Sequence, residues 1–458
     1  MRDRLGRWLH ASGTDPAVLV TVSARVVQAL GWLLVIPLVA THLTEEEQGF
    51  HVTFLSFATM QVLLELGLTT VLVQLVAHEA GLCAFPSEGG ITGPLEARQR
   101  LASVVRLGVR LLIGLSLALL LVLLPAGWIF FSHQNTTGVA WHEPWTIFAL
   151  AVALQAGLTG LVAMVEGSGA ILTAAWIRLL VALCGLGTLA IVLLANGRLY
   201  AIALMVTIQV LVAIALLGRW GGARLRAALS CPDRSLASWR HEVLPFQLPI
   251  AISWASGFFI FQIITPLIFS HHGPIEAGRY GLSMQVASGI AAVAMSWITT
   301  KQATWGAAVA RQDWIMLDQS FSRTWRMAML VAMCAATGVV VALMMVHHQG
   351  WAIGARFSAL PVMVLVCLTA VITVPINAQA AYLRAHKRDP FVITSVIMAV
   401  LMTSGYLLVI SFGTQAVALV GLGVTILVGL GGGSFIFLRC RQRWHLRNPE
   451  GPVLVHAH

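Results

Sequence analysis

Charge is what this sequence has least of. Asp, Glu, Lys and Arg make up 10% of its 458 residues, where soluble domains carry about a quarter. No soluble core accounts for that composition. Acids are scarcer than bases, 18 against 28, and only 4 residues are tyrosine. Long polar segments are also missing, so there is no room for an external or cytosolic catalytic domain of the kind a membrane polymerase or glycosyltransferase needs. Cysteine is sparse: Cys83, Cys231 and Cys440 fall near the basic side of the topology given below, while Cys184, Cys334 and Cys367 fall within spans. None faces an oxidising compartment, so no disulfide is expected.

What fills the chain is hydrophobic sequence, 58% of it. Apolar runs near the roughly 20 residues needed to cross a bilayer recur from Ala17 to Leu438. Unpaired backbone groups cost several kcal/mol each in lipid, so these runs must be helical. The expected spans are 17–41, 49–78, 108–130, 145–165, 170–195, 199–217, 244–269, 281–300, 327–346, 357–381, 391–411 and 416–438. Thr14 and Asp15 can cap the first and Pro16 suits its first turn; it is longer than a signal-peptide core and is read as a retained helix. The fold class is therefore an all-α polytopic membrane protein of about 12 transmembrane helices.

With the N-terminus inside, most of the 28 basic residues lie in cytoplasmic connections, which places both termini in the cytosol. The formal charge of +10 is thus a topology signal with attraction to anionic lipid, and nucleic acid is not an expected partner. The most basic long connection divides the chain into six spans and six. The expected organisation is an N-terminal six-helix lobe over 1–217, a basic linker over 218–243, a C-terminal six-helix lobe over 244–438 and a cytoplasmic tail over 439–458, with a central cavity between the lobes. Six spans per lobe implies parallel repeats, offset by about 230 residues. Residues 311–326 read as an amphipathic surface helix.

Charges inside spans are expensive and mark cavities or partners. Arg25 and Arg178 each lie about eight residues inside a span entered from the cytoplasmic side, about 12 Å deep at 1.5 Å per residue, and Glu65 lies about 15 Å deep. The three share a layer. Arginine suits a phosphate because its planar fork donates two parallel hydrogen bonds and stays charged. Two readings stay open: a cationic anion site oriented by Glu65, and an Arg25–Glu65 ion pair that locks two helices. Arg106 and Arg110, one turn apart, either snorkel to head groups or guide a phosphate inward. Gln28, Gln262 and Gln285 belong to a set of span amides suited to sugar hydroxyls, since amides donate and accept; helix-to-helix bonding explains any one of them equally well. No catalytic residue, metal site or cofactor is expected. The histidine pairs His271/His272 and His347/His348 lack metal-ligand spacing, and the glycines near 421–433 suit close helix packing better than nucleotide binding.

Three stretches resemble a known family. Leu43-Thr44-Glu45-Glu46-Glu47-Gln48-Gly49-Phe50, followed by Leu64-Glu65-Leu66-Gly67-Leu68 and Gln74-Leu75-Val76-Ala77-His78-Glu79, is similar to bacterial O-antigen and polysaccharide flippases of the Wzx type, in the multidrug/oligosaccharidyl-lipid/polysaccharide exporter superfamily. Ala277-Gly278-Arg279-Tyr280-Gly281-Leu282-Ser283, running on to Lys301, and Tyr382-Leu383-Arg384-Ala385-His386-Lys387-Arg388-Asp389-Pro390 resemble the same family's eighth-span region and the loop after its tenth span. The resemblance implies an alternating-access flippase for a polyprenyl-pyrophosphate oligosaccharide, with an arginine at the place of Arg25. It also implies polysaccharide-assembly enzymes as partners. The coupling ion, proton or sodium, stays open, with Glu65 or Glu166 as the titrating group. The alternative is a drug/cation antiporter of the same superfamily, which needs buried acids. The second lobe departs from a symmetric anion site because its spans hold no charge to match Arg25 or Arg178.

Overall fold

Among the described residues the apolar runs fold as helices. The computed structural model describes residues 31, 35–86, 90–134, 138–231, 238–239, 243–386 and 388–446. Among these there is no strand; an isolated antiparallel bridge joins Ala84 to Thr92. The first expected span lies mostly outside the described residues, which take up its end as helix at 35–42.

The chain divides into two compact units, residues 1–258 and 259–458. In the first, α1 (Glu45–Ala58), α2 (Gln61–Glu65) and α3 (Leu68–Ala80) make up the second expected span. They are followed by α4 (Leu95–Ser132), α5 (His142–Gly167), α6 (Ile171–Leu194), α7 (Tyr200–Leu216) and the short α8 (Gly222–Leu229). Helix α9 (Leu244–Phe261) runs up to the second unit. That unit holds α10 (Ile264–Ala310), α11 (Trp314–His348), α12 (Leu360–Ala385), α13 (Phe391–Val409), α14 (Thr414–Val424), a π-helical stretch Thr425–Gly432 and α15 (Gly433–Leu446).

By length and composition, nine described helices can cross a membrane, and the bent α1–α3 series adds a tenth. The segment Trp254–Ala310 is counted among the nine but is broken at Gly273 (φ 83°, ψ 177°). That glycine and Pro274 after it separate the seventh and eighth expected spans. The protein is a multi-pass membrane protein, as its composition requires.

Helix ends explain much of the local sequence. Thr44 Oγ1 accepts from the Glu47 amide at 3.1 Å while Glu47 Oε2 accepts from the Thr44 amide at 2.9 Å, a reciprocal capping box that starts α1. The second acid oxygen of Glu47 lies 3.5 Å from Arg198. In the second unit Arg279 donates to the Ala355 carbonyl at 2.9 Å, and Ser283 Oγ accepts from the Ser358 amide at 3.1 Å. Asp389 holds Arg384 at 2.9 Å and accepts from the Phe391 amide at the start of α13. The stretches that carry the family resemblance are thus places where helices begin, end or are tied to a loop.

The first unit packs around an aromatic core. Phe50, Phe54, Phe131, Trp145 and Phe148 are all fully buried, with ring centroids 4.9–5.5 Å apart between Phe54 and the rings of Phe131, Trp145 and Phe148. Trp145 donates its indole N–H to the Leu124 carbonyl at 3.1 Å. That bond satisfies the one polar atom the ring would otherwise bury unpaired.

One sequence expectation needs correction. Residues 311–326 do not form a separate surface helix; from Trp314 they are the first turns of α11, which continues to His348. With neither proline nor glycine between Trp314 and the apolar run, nothing interrupts the ladder.

Candidate functional site

The second span does not cross as one straight rod. Leu66 (φ 48°) and Gly67 (φ 75°) both adopt the left-handed conformation, and the helices on either side meet at 47°. A left-handed leucine is strained by roughly 1–2 kcal/mol, so tertiary contacts must hold it. A break inside a bilayer also frees backbone groups that lipid cannot satisfy. Here the Glu65 carbonyl accepts from Gln247 Nε2 of α9 at 3.1 Å, and the Leu66 amide returns to the Val62 carbonyl at 3.1 Å.

Glu65 itself sits at the break, 6% exposed. Its carboxylate accepts from Gln61 Nε2 at 3.2 Å, one turn back on α2. Gln247 is buried as well, and its Oε1 has no hydrogen-bond partner among the described residues. The site therefore combines a buried acid at a hinge in the second span with an open acceptor supplied by α9. Chemically it can take up a proton or orient a cation or guanidinium.

The other expected residues are placed as follows. Arg25 and Gln28 lie outside the described residues. Arg178, on α6, is half-exposed and donates to Glu166 Oε2 near the end of α5 at 2.5 Å, so its charge is paired across the turn that joins the two helices. Arg106 donates to the Leu229 carbonyl at 2.8 Å and to the Cys231 carbonyl; it caps the C-terminal end of α8, where free carbonyls and the helix dipole favour a cation. Arg110 is exposed. Gln262 occupies the turn between α9 and α10, and Gln285 lies half-buried on α10; both belong to the second unit. Within the first unit Gln155 donates to Gln209 at 2.8 Å, so that pair joins α5 to α7.

Because Arg106 serves α8, Arg106→Leu should destabilise the protein by about 1.5–3 kcal/mol, the range for a hydrogen bond to a charged group. Transport per folded molecule should be unchanged. Thermal unfolding in detergent beside a transport rate normalised to folded protein checks both parts.

Sequence reasoning missed His51. It is 1% exposed on α1, and among the described residues neither ring nitrogen has a hydrogen-bond partner. Its spacing from Glu47 and Gln48, four and three residues back, was the available signal, since all three share one helix face and all are buried. It also missed that the charged residues buried among those described are the acids Glu47 and Glu65.

No protein-family model matches the chain, and no curated protein matches it. Solved structures do. An inward-facing multidrug resistance MATE family transporter of the MOP superfamily aligns with a TM-score of 0.61 at 15% identity, covering 95% of this chain and 100% of the other. The lipid II flippase MurJ, in an inward closed conformation, aligns with a TM-score of 0.61 at 11% identity over 94% of this chain and 90% of the other. A MOP superfamily transporter from Pyrococcus furiosus, described as having a binding pocket of reverse polarity, aligns at 0.57 and 14% identity over 94% and 96%. The chain shares its fold with these transporters, and that fold has twelve membrane helices in two lobes.

Proposed function

From the premise that this chain folds as MOP-superfamily transporters do, we propose that it is a flippase of the Wzx type. It moves a polyprenyl-pyrophosphate oligosaccharide from the cytoplasmic to the outer leaflet of a bacterial inner membrane by alternating access. The single observation that carries the reading is the break in the second span. A bent, left-handed turn beside a buried acid is a costly feature in lipid, and such features persist where a span must move. The substrate class rests on the sequence resemblance and on the fold held in common with a lipid II flippase. In this reading the tail stays in lipid while the pyrophosphate and sugars pass between the lobes. Arg25 and Arg178 attract the pyrophosphate, with Arg110 nearer the entry side and Gln28, Gln262 and Gln285 offered to the sugars; Arg106, expected on the same path, instead holds the carbonyls of Leu229 and Cys231. Glu65 accepts a coupling proton or orients a guanidinium. Both termini face the cytosol, and assembly enzymes for the polymer supply and consume the substrate.

A drug/cation antiporter is the second reading. It is favoured by one observation: the buried charges described are both carboxylates, which suit a cationic guest. The two are separated in proteoliposomes holding the full chain. Labelled polyprenyl-pyrophosphate oligosaccharide should cross faster than in empty vesicles, and Arg25→Ala should remove the gain. Movement of a cationic dye down an ion gradient, without movement of the lipid-linked sugar, would replace the flippase with the antiporter.

A further inference from the structure

A basic groove lies within the second unit. Residues Asp318, Ser322, Arg326 and Leu330 follow one another at intervals of four on α11, and with Arg323 and Met327 alongside they form one stripe of the helix. Together with Arg441 of α15 this stripe lines a cavity of ≈ 660 Å³. Three guanidiniums face one carboxylate there.

The carboxylate is already engaged. Asp318 Oδ2 lies 2.5 Å from Arg441, and Asp318 Oδ1 accepts from the hydroxyl of the fully buried Tyr382 at 2.7 Å. That triad fixes α15 against α11 and α12 and, among the described residues, leaves Arg323 and Arg326 without an acid. Neither makes a hydrogen bond or ion pair among the described residues. Two unneutralised guanidiniums one turn apart in a cavity of this size are suited to phosphate, which each can grip with two parallel bonds.

The position selects the kind of phosphate. Arg326 is the last charged residue before a stretch, 327–346, with no charged side chain at all, close to the roughly 20 residues that cross a hydrocarbon core. The two arginines therefore lie at head-group level. Directly beyond them Met327 and Leu330 are 46% and 51% exposed, which gives acyl chains an apolar surface continuous with the cavity. We infer that the groove between α11 and α15 binds the head group of an anionic phospholipid, with Arg323 and Arg326 on the phosphate and the acyl chains along Met327 and Leu330. The assignment stands whether the cargo is a lipid-linked sugar or a cation.

The test uses the purified full-length chain in neutral detergent, titrated with cardiolipin, phosphatidylglycerol and phosphatidylcholine, with bound lipid counted by native mass spectrometry. Anionic lipid should be retained and phosphatidylcholine lost. Each basic residue near an anionic head group contributes about fivefold to binding, so Arg323→Gln with Arg326→Gln should weaken retention roughly 25-fold. Arg323→Lys with Arg326→Lys should lose only a few-fold, because charge remains. Arg219→Gln with Arg311→Gln removes the same net charge elsewhere and should change little. Where the double glutamine variant is not monodisperse, Arg323→Gln alone, with about fivefold loss, stands in for it. Equal retention by wild type and the glutamine variants overturns the assignment, as does equal loss in the control pair. Displacement of the lipid by inorganic pyrophosphate at matched concentration would make the site one for soluble phosphate and overturn the lipid.

Discussion

Glu65→Gln should lower the initial transport rate by about tenfold or more, a barrier increase near 1.4 kcal/mol, while the protein unfolds within a few degrees of wild type. Glutamine keeps the size and an acceptor for Gln61 Nε2, which lies 3.2 Å away, so the fold is preserved. What it removes is a negative charge and a proton site 6% exposed at a helix break. Glu65→Ala should lose the same activity and some stability too, because Gln61 then keeps a donor with no partner. If Glu65 served only to hold the break, the glutamine would transport normally and only the alanine would suffer. Rates in proteoliposomes beside melting curves separate the two.

The largest effect on stability is expected at Gly127. This residue of α4 packs directly on Trp145, and a Cβ built there would fall inside the indole. The ring cannot step aside, since it is fully buried among Phe54, Phe131 and Phe148 and bonded to the Leu124 carbonyl. Gly127→Ala should therefore cost about 1–3 kcal/mol or more of overpacking, read as a fall in melting temperature and in yield of folded protein. Trp145→Phe in the same chain should relieve part of that loss, giving a coupling that two distant substitutions would not show. Additive losses would mean that α4 shifts to make room.

How far the sequence foretold these features depends on the range of the interaction. The spans were legible because lipid imposes helices wherever apolar runs are long enough, and Glu65, counted into the second of them, is buried. The break beside it was not legible. Leu64-Glu65-Leu66-Gly67-Leu68 reads as a continuous helix, because a lone glycine is tolerated there and nothing in the pattern requires a left-handed leucine. The Gln247 side chain that satisfies the break comes from 182 residues away. Arg106 misled for the same reason: its partners, Leu229 and Cys231, lie 123 and 125 residues on, so only its position at a span entrance was visible. Arg178 and Glu166 are twelve apart, across a turn, a spacing that periodicity on one helix does not register. The repeat expected from sequence also has a limit, since α10 continues without a break 230 residues beyond Leu66, where a faithful duplicate of the second span would bend.

The account depends on the second span flexing at Leu66 and Gly67 during the cycle. Spin labels at Ala58 and Ala77, on opposite sides of the 47° bend, in a chain freed of its native cysteines, would report this directly. Each arm is about 14 Å at 1.5 Å per residue, so straightening should lengthen the measured separation by about 2–3 Å. Addition of polyprenyl-pyrophosphate oligosaccharide to the protein in nanodiscs is predicted to shift the distance distribution by that amount, and Glu65→Gln to reduce the shift. A distribution that stays the same with and without substrate, in a preparation that transports it, would contradict the hinge.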